Sequence, residues 1–395
     1  MSVNELRNDF PFFKDKTLAY LDSGATAQKP QVVLEAMEEY YREYCANIHR
    51  ASHGLGNKAT LKYEEARGEI ANFLNAQYQE EIVFTSGATQ SINLVAYGFV
   101  KEHFEHVIIS GLEHHSNIVP WQIIDKSLHV IASKKDLHAD LEDYERLLKK
   151  YPNSFVSLVQ TSNTFGITLP IKQMIEMAHN YGCKVLVDAA QSAIHGPVDV
   201  QDLNADFLVL SAHKLYGPTG IGALYIKKEL HELCKPFQGG GGAIKEVRYD
   251  KTSYMPIPHM YEAGTGNIAG AIGFGAALKY MTDIGFDVIQ THERKLVKYT
   301  NENLSKVDDV ITYTDSTNAT GNISFNIKGI HHNDLGILLD KQGVQVRVGH
   351  HCVQPTMHAL GIDGTVRISF GMYTTIEELD KFFKALTRSI KMLKE

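Results

Sequence analysis

Two residues at telling positions suggest covalent chemistry. Lys214 lies in LSAHKLYGPTGIG (210–222), just after an apolar run, with Ser211 and His213 before it and a Gly-Pro-x-Gly-x-Gly turn after it. A lysine held among small, turn-forming neighbours at a strand end is readily desolvated, which lowers its pKa and makes the amine a nucleophile. A surface loop lysine is the plain alternative. Cys352 in RVGHHCVQP (347–355) follows Arg347 and two histidines. A neighbouring cation favours the thiolate, so a reactive thiol is expected. An inert buried cysteine and a metal site on His350, His351 and Cys352 compete with it. Adjacent ligands close poorly around one tetrahedral ion, and no distant Cys or His pair completes such a set, so no metal is expected.

Asp188 ends the apolar run of VLVDAAQSAIH (185–195). A carboxylate there is suited to capping a helix, to a metal, or to a cationic ring nitrogen; the absence of a second carboxylate nearby argues against magnesium. In SGATQSINLVAYGF (86–99), Gly87, Ala88 and Thr89 join a β-rich run to an apolar-periodic helix. Free N–H groups at such a start attract phosphate, although an ordinary capped helix reads the same way. His114 in EHHSN (113–117) offers an aromatic plane after a strand, or a solvated loop residue. Arg367 interrupts the apolar TVRISF (365–370), where a planar cation needs an anionic partner.

Something must hold these residues together. Short β-rich runs recur at 82–85, 106–110, 128–133, 155–160, 184–188, 207–211 and 222–226, several of them continuously apolar as in strands covered on both faces. Helical patterns such as 140–151 and 172–182 lie between many of them, and others at 31–46 and 59–75 precede them. Strand alternating with helix predicts a mostly parallel α/β sheet. After about residue 270 come helices at 269–282 and 286–306, strands at 322–327 and 365–370, a helix at 334–343 and a terminal helix from Ile376, together a smaller α+β unit. The glycine run 238–242 reads as a mobile loop near a site. The expected division is a large cofactor-binding domain, 16–285, and a small C-terminal domain, 286–395, joined by the N-terminal segment 1–15.

Composition bounds the rest. The chain has 395 residues, enough for two to three domains at about 150 each. Thirty-nine Lys+Arg against 46 Asp+Glu give 39 − 46 = −7, which argues against a nucleic-acid binder. The four cysteines, at 45, 183, 234 and 352, lack C-x-x-C spacing; the three besides Cys352 read as core. No run reaches the roughly 20 apolar residues of a membrane helix, and the start shows no secretory pattern, so the reducing cytoplasm is the expected location.

Taken together, the motifs describe pyridoxal-phosphate chemistry, and the chain resembles the group II, SufS-type cysteine desulfurases. FPFF, YLDSGATAQKP, NIHRASHGL, SGATQSINLVA, EHHSNIVPW, VDAAQS, SAHKLYGPTGIG and RVGHHCVQP carry the resemblance nearly end to end. It implies the aspartate-aminotransferase-like α/β fold, fold type I of the pyridoxal-phosphate-dependent transferases, with a mixed seven-stranded sheet and a smaller C-terminal α+β domain. The implied reaction turns L-cysteine into L-alanine and leaves the sulfur on an enzyme cysteine as persulfide, for iron–sulfur cluster assembly, with selenocysteine a possible side substrate. Lys214 would hold the cofactor, Asp188 pair with its ring nitrogen, His114 stack on the ring and Gln191 face the phenolic oxygen. Thr89, Ser211, His213 and backbone near Ala88 would take the phosphate, with Thr265 from the second subunit of a homodimer. Asn163 and Arg367 would take the substrate carboxylate, His49 and Arg50 approach from the partner chain, Arg347 lie with the substrate-binding residues, and Cys352 accept sulfur for a SufE- or SufU-type protein. Gly266 and Gln90 stand where relatives often carry proline and glutamate. A fold-mate such as an aminotransferase, a kynureninase-like hydrolase or a selenocysteine lyase would keep Lys214 and Asp188 without needing Cys352; a non-enzymatic thiol or metal scaffold would leave both without a purpose.

Overall fold

The computed structural model describes residues 3–14, 16–134, 136–314 and 320–395. Seven strands build the central sheet: β1 (Ile82–Thr85), β2 (His106–Ile109), β3 (Ser127–Val130), β4 (Phe155–Val159), β5 (Lys184–Asp188), β6 (Phe207–Ser211) and β7 (Gly222–Ile226). Their spatial order is β1-β7-β6-β5-β4-β2-β3. Only the contacts of β7 are antiparallel, so the sheet is mixed, and the expected α/β architecture is observed. β4 and β7 are buried throughout, and helices cover the faces, which is why these strands read as continuous apolar runs. Two apolar clusters, one around Ile108, Val156 and Val185 and one around Val107, Leu186 and Val209, fill the two sides.

A second sheet has the order β8-β9-β11-β10, from β8 (Val310–Thr312), β9 (Asn322–Ile327), β10 (Arg347–Gly349) and β11 (Thr365–Ser369). It packs with the helices His332–Lys341 and Ile376–Lys394 around Leu335, Leu339, Ile368, Leu379, Phe382 and Leu386. The terminal helix starts where Thr375 and Glu378 form a capping box and buries its Leu379–Phe382–Leu386 stripe. The N-terminal chain is tied to this sheet's neighbourhood. Ala19–Tyr20 pairs in parallel with Val344–Gln345, Asp22 bridges to Ser369, and Arg7 grips Glu378 at 3.0 Å.

Several boundaries differ from the sequence reading. The second helix begins at Gly54, capped by His53, because its glycine-rich first turn carries no apolar period. The third strand runs Ser127–Val130 rather than 128–133, since only that stretch pairs with β2. Cys45 is exposed just past the helix Gln31–Glu43 and is not core, whereas Cys183 and Cys234 are buried. Among the described residues no helix is long and apolar enough to cross a membrane.

Candidate active site

The carboxyl ends of β5 and β6 open into a cleft of about 270 Å³. Into it converge Ala88, Thr89, His114, Asn163, Asp188, Gln191, Ser211, His213, Lys214, Arg347, Cys352 and Arg367. Twelve of the sequence candidates therefore meet in one place, although 264 positions separate Ala88 from Cys352 (352 − 88).

Each is set by a local device. β6 ends at Ser211 and a one-turn helix, Ala212–Lys214, swings Lys214 over the sheet edge. Lys214 is half-buried at the cleft wall; desolvation lowers its pKa to about 8, Arg367 and Arg347 push the same way, and Asp188 and Cys352 oppose them. Asp188 ends β5, accepts a hydrogen bond from Ala190 N at 3.0 Å, and is pushed up by burial against the pull of Lys214. The helix Ala88–Val95 starts at Gly87, whose φ of 146° suits glycine, and Ala88 N donates to Ser211 Oγ at 2.9 Å. A Cβ on Gly222 would come 2.5 Å from Gly87 Cα, so this turn reaches the strand end because both residues are glycine.

His114 Nδ1 accepts from Ser116 N at 3.1 Å, and Ser116 Oγ meets Thr89 Oγ1 at 2.8 Å. That ring is therefore unprotonated at Nδ1, and burial, with the nearby Lys214 cation, drives its pKa down to about 3. It stands in the cleft as a neutral aromatic plane. Gln191 Nε2 donates to Gly24 O at 2.7 Å, while Asn322 donates to its Oε1 at 3.3 Å, joining β5's loop to the second sheet. His213 is neutral as well, its pKa lowered by burial to about 4.

The two arginines reveal a partner that sequence reading missed. Arg347 and Arg367 face each other in register across β10 and β11, where like charges repel. Asp22 lies between them: Arg347 donates to both its oxygens at 3.0 and 2.9 Å, and Arg367 Nη2 donates to Oδ1 at 3.1 Å. Arg367 also donates from Nη1 to Asn163 O at 2.8 Å, and its Nε has no partner. Asp22 sits in the YLDSGATAQKP stretch, but its role requires knowing the register of two strands more than 300 residues away. Glu113, next to His114, was missed too. Its fully buried carboxyl accepts from Ser110 Oγ at 2.6 Å, Asn117 Nδ2 at 2.6 Å and Val159 N at 2.9 Å, while burial pushes its pKa up to about 7.

Cys352 occupies a tight turn beyond β10, with His115 N donating to its carbonyl at 2.8 Å. His351 Nε2 meets Thr365 Oγ1 at 2.9 Å, and His350 Nδ1 accepts from Cys352 N at 3.1 Å. One ring nitrogen of each histidine is thus engaged, and no metal-binding group of three or more His, Cys, Asp or Glu exists among the described residues.

Three candidates lie elsewhere. His49, Arg50 and Thr265 line a second cleft of about 460 Å³, together with Ser86, Gln90 and part of the 238–242 glycine run. Its lining residues Ser86 and Gln90 flank the helix start at Ala88. Here Arg67, buried, clasps Glu262 at 2.7 and 2.9 Å, and Phe84 N donates to Glu262 at 2.7 Å, which fixes the chain just before Thr265. Removing one partner of such a pair leaves an uncompensated buried charge, at a cost of about 3–5 kcal/mol.

Known proteins resemble this chain in sequence and fold. The family described as Aminotransferase class-V matches residues 19–382. A protein of Halalkalibacterium halodurans named probable cysteine desulfurase is 41% identical over 98% of this chain and 98% of its own length. A cysteine desulfurase of Synechococcus elongatus is also 41% identical over 98% of this chain, which spans 63% of that longer relative. The apo cysteine desulfurase from Thermococcus onnurineus superposes with a TM-score of 0.94 at 39% identity, covering 99% of both chains. The fold is that of the fold-type I pyridoxal-phosphate enzymes, and the chain belongs to the class-V aminotransferase family, whose enzymes work with pyridoxal phosphate.

Proposed function

We propose that this protein is a cysteine desulfurase of the SufS type, taking sulfur from L-cysteine onto Cys352 as a persulfide and releasing L-alanine. The observation that carries the reading is a thiol and a desolvated lysine in one cleft, with a carboxylate and a neutral imidazole beside them. A fold-mate that only moves amino groups has no use for Cys352 at that position.

The residues fit pyridoxal phosphate and an amino-acid substrate. Asn163 Oδ1, His351 Nδ1 and Arg367 Nε are buried here without partners, as groups awaiting a polar ligand are. Lys214 would bind the cofactor covalently, Asp188 hold a proton at its ring nitrogen, His114 lie against the ring, Gln191 meet the phenolic oxygen, and Ala88, Thr89, Ser211 and His213 receive the phosphate. When bound, the cofactor supplies the electron sink that stabilises negative charge at the substrate α-carbon.

The chain's own groups do the rest. Arg367 and Asn163 orient the substrate carboxylate, with Arg347 beside them through Asp22. The Lys214 amine, released when substrate takes its place, is a base of suitable strength for the α-proton. The Cys352 thiolate attacks the substrate sulfur; an S–S bond forms, the C–S bond breaks, and its electron pair stays on carbon. A proton then completes the methyl group of alanine. The persulfide sulfur passes to a SufE- or SufU-type acceptor for iron–sulfur assembly in the cytoplasm, and selenocysteine serves as a side substrate. Thr265, His49 and Arg50 complete the site of the second subunit in a homodimer, a reading supported by their position in a separate cleft that also takes Ser86 and Gln90 beside the Ala88 helix start.

The direct test supplies holoenzyme with L-cysteine and counts alanine against sulfur delivered to an added thiol. Matched yields are expected; pyruvate in place of alanine, or no turnover, would overturn the assignment. A second expectation concerns pH. Amines react as the free base, and Lys214 reaches that form near pH 8 rather than the ordinary lysine value of 10.5. Uptake of pyridoxal phosphate by the apo-protein should therefore accelerate as pH rises toward about 8 and level off above it. An uptake rate still climbing toward pH 10.5 would show that Lys214 is not desolvated.

A further inference from the structure

The turn that presents the thiol is not one its residues adopt freely. His351 and Cys352 have φ of 50° and 60°, the left-handed region that β-carbon sterics disfavour outside glycine. Two such residues in succession persist where the surroundings over-determine them. The holding contacts come from the other side of the cleft. Asn163 Nδ2 donates to His351 O at 2.8 Å, and Thr356 Oγ1 donates to Gly111 O at 2.7 Å. His115 makes two: its backbone N donates to Cys352 O at 2.8 Å, and its ring Nε2 accepts from Gln354 N at 3.1 Å. It thus holds the chain on either side of Val353, directly after the thiol residue.

His115 is also well placed to transmit position. Two residues before it, Glu113 is locked into the core through Val159 N, the neighbour of Asp188 in the sheet register. Between them His114 projects into the cleft. One short segment therefore runs from buried anchor, to cleft-facing ring, to thiol turn.

We propose that His115 is a positioning residue that sets Cys352 relative to the cleft by accepting the Gln354 amide with its ring Nε2. This deepens the desulfurase reading, and its catalytic consequence rests on that reading. The ring acts in its neutral form, because Nε2 needs a lone pair to accept; burial and the nearby His350 ring, 5.6 Å away, both favour neutrality. Each variant at this position keeps the backbone bond to Cys352 O, so substitution isolates the ring.

The experiment compares wild-type holoenzyme with His115→Ala and His115→Gln, whose amide oxygen reaches about as far as Nε2. Three quantities are read: visible cofactor absorbance, alkylation of Cys352 followed by peptide mass spectrometry, and hydrogen exchange over 351–356. Losing one hydrogen bond should raise the opening of the turn about three- to tenfold in His115→Ala, with alkylation and exchange rising accordingly. The absorbance should stay unchanged and His115→Gln return within about twofold of wild type. In cysteine turnover, kcat should fall in His115→Ala while KM holds. Unchanged alkylation and exchange in His115→Ala would overturn the proposal. So would a glutamine variant as loose as the alanine one, or loss of cofactor absorbance, which would assign the ring to the cofactor instead. If alkylation and exchange respond as stated while wild type forms no alanine, the positioning role stands and the desulfurase reading fails.

Discussion

Lys214→Ala should lose the visible absorbance of lysine-bound cofactor and lower alanine formation by about 10³-fold or more, since covalent attachment and the proton-moving base disappear together. The structural cost should be small. Lys214 leaves a half-buried position lining a polar cleft, and the Ala212–Lys214 turn is held by backbone bonds from Leu215 N and Gly217 N to Ala212 O. The neighbouring His213 carbonyl still receives Ala27 N at 2.9 Å. Pyridoxal phosphate should therefore still bind to the purified variant, with the spectrum of free or substrate-bound cofactor. A variant keeping both the wild-type absorbance and turnover would show that a different lysine holds the group. Lys29, also desolvated to about 8, would be the next to examine.

Cys352→Ser is expected to separate cofactor chemistry from sulfur transfer. A hydroxyl is a poor acceptor of sulfur, so alanine formation from cysteine should fall about 10²-fold or more while cofactor absorbance and its response to cysteine persist. Serine is close to isosteric, and the bonds that fix the turn, from His115 N, to His350 Nδ1 and to His351 O, all use backbone atoms of the turn. The loss is then chemical, not conformational. Selenocysteine turnover should be less affected, because selenium leaves more readily without a thiolate to receive it. Unchanged sulfur release in this variant would remove Cys352 from the reaction.

The parts of the site that could be read from the sequence are those whose signal is local. Lys214, Asp188 and His114 each sit at or just after an apolar strand, and the carboxyl edge of an α/β sheet is where such residues act. The central strands are legible for the same reason: burial on both faces leaves an unbroken apolar run. β8 and β10 are three residues each and largely unburied, so neither has a pattern to detect. Asp22 escaped because its meaning lies in the Arg347–Arg367 register, which no local spacing encodes. Glu113 escaped because a carboxylate beside two histidines in a loop looks solvated until the Val159 N–H above it is known. His115 is hidden in the same way, since its partner at Gln354 is 239 positions distant.

In the proposed reaction, sulfur from the substrate comes to rest on Cys352. Holoenzyme is mixed with L-cysteine without a reducing thiol, quenched within one turnover, digested, and the peptide bearing Cys352 weighed. A mass gain of one sulfur atom is expected on that peptide, removed by dithiothreitol, absent in Lys214→Ala and not transferred to peptides bearing Cys45, Cys183 or Cys234. Alanine released in equal amount with the Cys352 peptide unchanged would contradict it.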